Sequence, residues 1–190
     1  MRYPLVVSTL LLVTAGCAPW PKMDFYTAPA AGENTAWVRI VGGTQWASIN
    51  QDADGKSTGG MVRNSQWILT HTQDRNMPVD SQQNKSDWWD YYETPVVAGR
   101  PTHIGQVYDD EKNYCYSGIN FVPKKGHYYQ VGLQVDLRLF QCRGRAYELV
   151  KDAQGKWHLE DLKGVTWGGK YDEKEDGNWR KMSYREKAGI

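Results

Sequence analysis

The chain has 190 residues, with 23 basic and 22 acidic side chains and a formal net charge of +1. Near balance excludes the basic stripe of a nucleic-acid binder, and no polybasic run marks a membrane patch. The length suffices for one domain with a real core, and no apolar run of about 18 residues is present to cross a bilayer as a helix.

The chain begins with a segment of its own character. Arg2 is its one charge, residues 5–13 are a short apolar run, and Ala15 and Gly16 precede Cys17. The run is too short for a hydrocarbon core of about 30 Å and has the length of an export-signal core. Ending in Leu-Leu-Val-Thr-Ala-Gly-Cys, the segment resembles the signal of bacterial lipoproteins, with Thr14 where that class usually carries Leu. The resemblance implies a signal peptide over residues 1–16, cleavage before Cys17, and acyl chains on Cys17 that hold the protein to a membrane. Ala18, rather than Asp, after the cysteine implies sorting to the outer membrane, with the domain on the periplasmic side of the cell envelope. An ordinary secretory signal cut after Ala15 or Ala18 is the competing reading. Loss of residues 1–16 removes Arg2 and no acid, which leaves 22 charges of each sign.

Residues 17–34 contain Pro19, Pro21 and Pro29 among alanines and read as a lipid-anchored tether reaching at most ~60 Å. The folded domain is expected over residues 35–166. Trp37-Val38-Arg39-Ile40-Val41 and the run from Gln45 to Ile49 flank Gly42-Gly43 and read as a hairpin. Residues 61–70 are strand-like, and residues 73–85 are polar and read as an exposed loop. Residues 94–104 read as strand, Gly-containing turn and strand. Tyr129, Val131, Leu133, Val135, Leu137 and Leu139 alternate with polar residues or glycine, which predicts one half-buried strand. Tyr147-Glu148-Leu149 and Trp157-His158-Leu159 flank a four-residue turn at 152–155, a second hairpin. Residues 167–190 are charged and carry Trp and Gly, as an edge hairpin or a tail.

About seven to nine short strands separated by turns predict an all-β domain, a β-sandwich or a small barrel. The stretch from Glu93 to Cys142, with Val-Ala-Gly-Arg-Pro and Phe121-Val-Pro-Lys-Lys-Gly-His-Tyr-Tyr129, resembles small envelope lipoproteins of immunoglobulin-like sandwich fold. That resemblance implies a single sandwich and brings no catalytic site with it. Three cysteines are present. With Cys17 assigned to lipid, Cys115 and Cys142 remain as one pair, expected to form a disulfide in an oxidising compartment.

Nine Trp, twelve Tyr and three Phe can build the core of a β-protein, and the same abundance suits a carbohydrate-stacking surface. Asp87-Trp88-Trp89-Asp90-Tyr91-Tyr92-Glu93 is the most unusual segment. As an extended strand it has no clean apolar face, so Trp88, Trp89, Tyr91 and Tyr92 are the candidate surface for an envelope protein partner or a glycan. Asn50-Gln-Asp-Ala-Asp-Gly55 resembles half of a calcium loop but lacks the closing glutamate, and reads as a turn. His71, His103, His127 and His158 have no compact metal-ligand spacing. No nucleophile elbow, phosphate loop or dinucleotide fingerprint is present. The expectation is a non-enzymatic envelope protein with no cofactor and no metal, in a structural or interaction role. A carbohydrate- or peptidoglycan-binding module is the alternative.

Overall fold

The computed structural model describes residues 24–42, 44–64, 72–88, 90–109, 114–136, 138, 141–168 and 178–179, with the backbone alone at 63, 64, 178 and 179. The described strands are β1 (Thr35–Val41), β2 (Trp46–Ala53), β3 (Lys56–Asn64), β4 (Tyr91–Val97), β5 (Thr102–Asp109), β6 (Tyr114–Phe121), β7 (Tyr128–Asp136), β8 (Gln141–Lys151), β9 (Trp157–Asp161), β10 (Thr166–Trp167) and β11 (Asn178–Trp179). They form two sheets. One runs β4-β1-β7-β8, with β9 and β11 both along the far edge of β8. The other runs β3-β2-β5-β6-β10. The protein is thus the expected all-β, two-sheet fold with one disulfide, and β1 lies parallel to β7 and antiparallel to β4.

The core follows the period of two. Ala36, Val38 and Ile40 of β1 and Tyr129 and Val131 of β7 meet Ala47, Ile49, Ile104, Ile119 and Phe121 from the facing sheet. These branched and aromatic side chains suit a pleated, buried surface. Cys115 of β6 and Cys142 of β8 join the two sheets at one end, with Cα atoms 6.0 Å apart. The bridge is buried beside Leu133, with Tyr108, Tyr116 and Val135 packed against it.

Local signals decide the turns. Asp54 and Gly55 take φ of 51° and 74° and join β2 to β3, the two-residue hairpin in which both central residues need positive φ. This is the segment that resembled half of a calcium loop. The turn at 152–155 joins β8 to β9 as expected, with Asp152 Oδ1 accepting the N–H of Gln154 and Lys156. The hairpin expected around Gly42-Gly43 does not form. There β1 and β2 pass into different sheets and do not pair with each other.

Three stretches differ from their sequence reading in how much they pack. Residues 24–34, assigned to the tether, lie against the sandwich: Tyr26 N–H donates to Met61 O and Met61 N–H to Asp24 O, both at 2.9 Å. Tyr26 packs on the core, an aromatic pull that the Pro/Ala composition masked. Trp167, assigned to the C-terminal segment, packs against the core where Gly144 has no side chain to obstruct its ring. β10 and β11 join opposite sheets, so they are not one hairpin. Residues 73–85, read as an exposed loop, cross the outer face of the β1 sheet, with Met77 buried. Residues 1–23, with Cys17, and Trp89, Leu137, Leu139, Phe140 and His71 lie outside the described residues.

Candidate functional site

Three polar side chains form a row across adjacent strands. Arg39 of β1 is in register with Glu93 of β4 on one side and Gln130 of β7 on the other. The row is on the face opposite Val38 and Ile40, where solvent is the expected neighbour. All three are nevertheless buried, Arg39 and Glu93 at 0% exposure. What covers them is the strap formed by residues 72–88.

The strap is held at both edges of the sheet. At β4, Gln73 N–H donates to Tyr91 O at 3.0 Å and Glu93 N–H donates to Gln73 O at 2.9 Å. At β9, Ser81 N–H donates to Trp157 O at 2.8 Å, and Asp80 Oδ2 accepts Leu159 N–H at 2.8 Å. Between these points the buried row supplies the anchor. Arg39 donates through Nε and Nη2 to Glu93 Oε1 at 2.8 and 2.6 Å, and through Nη1 to Gln130 Oε1 at 3.1 Å. Nη2 also donates to the carbonyls of Met77 and Pro78 at 3.0 and 2.9 Å. Glu93 Oε2 accepts the strap's Arg75 and Met77 N–H groups at 2.6 and 3.1 Å. A buried charge is tolerated only when it is paired and hydrogen-bonded, and here the strap's own backbone completes the pairing.

A second layer closes over the first. Lys85 Nζ lies 2.6 Å from Asp74 Oδ1 and 3.2 Å from Glu93 Oε1. Tyr91 donates its hydroxyl to Asp74 Oδ2 at 2.7 Å. The hydrogen bonds from Lys85 and then Tyr91 hold the Asp74 carboxyl well below the usual carboxylate range. Burial, and after it the Asp74 carboxylate, push the Tyr91 phenol up to about 12. Trp88 lies over the Arg39 guanidinium, 4.8 Å from carbon to ring centre, and meets Tyr91 edge-on at 5.2 Å.

The candidate aromatic surface therefore divides. Tyr91 is buried and its hydroxyl is engaged, so it presents no stacking face. Trp88 is half-buried, with Arg39 against its ring. Tyr92 is half-buried on the opposite face of β4, in register with Ile40. Arg39 and Gln130 were missed from sequence. The one available signal was a charged residue centred in Trp37-Val38-Arg39-Ile40-Val41.

The described histidines are separate from this row. His103 contacts Asn120 Oδ1 through Nδ1 and Tyr116 OH through Nε2, each at 2.9 Å, on the outer face of the other sheet. His127 contacts Glu148, and His158 contacts Glu160 at 3.2 Å. Among the described residues no three His, Cys, Asp or Glu side chains gather as a metal site. No described helix is long and apolar enough to cross a membrane. Comparison of the chain with protein families, curated proteins and solved structures finds no match.

Proposed function

We propose that the chain is a lipid-anchored protein of the bacterial cell envelope, outer-membrane sorted, whose β-sandwich serves a structural or protein-interaction role without catalysis. The observation that carries this reading is the Cys115–Cys142 bridge. It suits an oxidising compartment, and it leaves Cys17 as the one remaining cysteine, at the end of a lipoprotein-like signal. The immunoglobulin-like affiliation stays within this proposal, with the inter-sheet bridge as its support.

The docking of Asp24 onto β3 gives the reading a physical consequence. Six residues separate Cys17 from Asp24, so a lipid on Cys17 holds the sandwich within ~25 Å of the bilayer, not the ~60 Å of a free tether. Two or more acyl chains make such attachment stable. Intact-mass measurement of the membrane-extracted protein tests the anchor. The expected mass is that of residues 17–190 plus a diacylglyceryl group and a third acyl chain. Globomycin is expected to block the processing, and Cys17→Ser to release the domain from membranes. A Cys17→Ser protein that is processed and retained as before would sink the reading. Of the aromatic side chains in the glycan-binding alternative, the described Tyr91 is buried and Trp88 is packed on Arg39.

A further inference from the structure

Residues 24–32 run along the open side of the sandwich, between the edge of β3 and the edge of β4. Asp24 and Tyr26 exchange backbone hydrogen bonds with Met61 of β3, and the Tyr26 hydroxyl donates to Pro95 O of β4 at 2.9 Å. The contact with β3 is close: a Cβ on Gly60 would lie 2.2 Å from Asp24 O. Tyr26 packs inward on the core, so its extended neighbour Phe25 turns outward and is 59% exposed.

From Phe25 to Gly32 the segment reads Phe-Tyr-Thr-Ala-Pro-Ala-Ala-Gly and carries no charge, and all of it but Tyr26 and Pro29 is exposed. Charges of both signs flank it: Asp24 before it, Glu33 after it, and Arg100 across a cavity of about 350 Å³ that Tyr26, Thr27 and Pro29 help to line. The side therefore selects no partner by the sign of its charge, and its distinctive feature is apolar. Val122, at 54%, is the other exposed large hydrophobic among the described residues. It shares its cavities with Asp52, Lys124, Glu148 and Asp161, a charged setting that suits apolar contact poorly. One exposed apolar side chain is ordinary on a protein surface. What sets Phe25 apart is its place in the chain, eight residues after Cys17 and so at most ~28 Å from it.

We propose that this side of the sandwich is the one that lies on the bilayer, with the Phe25 ring in the headgroup boundary and the uncharged residues 25–32 along it. The orientation rests on the lipid anchor at Cys17. The chain that leads to the lipid leaves the domain at Asp24, so the acyl chains and Phe25 are drawn to one surface from one side. Apolar side chains of surface-lying segments bury at that boundary. A single ring is too little to bring a free domain to a membrane. An anchored domain is already there, and the ring has only to bias its orientation, by about tenfold or more.

The test uses the processed protein extracted from membranes, with its Cys17 mass determined, in vesicles of phosphatidylcholine, whose headgroups carry no net charge. Ala28→Cys, near Phe25, and Lys163→Cys, on the opposite side between β9 and β10, each carry an environment-sensitive fluorophore. The expected result is a blue shift and quenching by brominated lipid at position 28, several-fold stronger than at 163. Salt of about 0.5 M is expected to leave it unchanged, because no charge attraction holds the contact. Phe25→Ser added to Ala28→Cys is expected to cut the quenching several-fold without moving the melting curve. Equal quenching at both positions, quenching at 163 alone, or Phe25→Ser without effect would overturn the proposal. Acylated protein with no quenching at 28 overturns the orientation and spares the anchor. Processed protein that lacks acyl chains overturns the anchor and the orientation with it.

Discussion

Arg39 and Glu93 stand opposite one another across β1 and β4, both fully buried, on the face of the sheet turned away from the hydrophobic core. Their burial is the work of a strap that brings its own N–H groups and carbonyls to them. Strap and ion pair therefore form one unit: without the strap the charges are wet, and without the charges the strap has lost its central attachment.

Removing one partner is expected to cost more than removing both. Glu93→Ala leaves a buried guanidinium without its carboxylate and the Arg75 and Met77 N–H groups without an acceptor, a loss of about 3–5 kcal/mol. Arg39→Met combined with Glu93→Met leaves no unpaired charge and is expected to lose less. Urea denaturation of the single and double variants measures both values. A single variant within about 0.5 kcal/mol of the parent would show that the strap is held elsewhere.

The Asp74 and Tyr91 pair gives the strap a pH window. A depressed carboxyl contributes stability that is present above its ordinary value near 4 and lost as pH falls through its lowered one. A raised phenol contributes stability that is present below about 10 and lost as pH rises toward about 12. Amide exchange at residues 75–77, corrected for intrinsic rates, is therefore expected to be slowest between these limits. Asp74→Asn is expected to bring the Tyr91 titration down toward the ordinary value, read by carbon-13 NMR at Cζ. No change at Tyr91 would dismiss the contact.

The disulfide closes a separation of 27 residues. Cys115→Ala with Cys142→Ala is expected to lose about 3–4 kcal/mol on the chain-entropy account. Reversible denaturation of this variant and the oxidised parent provides the comparison. A loss below about 1 kcal/mol would mean that the sheets are held together almost entirely by packing.

The open edge of β4 is capped along its length. Gln73 takes its first backbone groups, the Tyr26 hydroxyl donates to Pro95 O, and the side chain of Gln51 both donates to Val97 O and accepts from Val97 N–H. Proline, with no N–H to leave unpaired, is suited to such an edge. Gln51→Leu is expected to cost about 1–3 kcal/mol and to expose two edge groups to other chains. Light scattering against protein concentration is expected to show association. A variant that remains monomeric and equally stable would remove Gln51 from the edge.

What was legible in the sequence was local. The alternation over Tyr129, Val131 and Leu133, the turn at 152–155 and the cysteine pairing all follow from neighbours in the chain or from counting. The Arg39, Glu93 and Gln130 row joins positions 54 and 91 residues apart, and no local period reports it. The strap read as a loop because its composition is polar. Its polar atoms are what let it lie on a charged row, and only the register of β1 with β4 and β7 brings that row together. Tyr26 was lost in a Pro/Ala stretch for a similar reason: its partners are the edges of β3 and β4, which no nearby residue announces.

Of the cross-connections between the sheets, two sit at opposite corners. The disulfide joins β6 to β8 at one end. Gln51, reaching from β2 to Val97 of β4 and to Thr102 of β5, joins the sheets at the other end and the other side. One pin leaves two stacked plates free to pivot about it. A second pin on the diagonal removes that rotation, so the angle between the sheets is set by geometry as well as by the fit of the side chains between them.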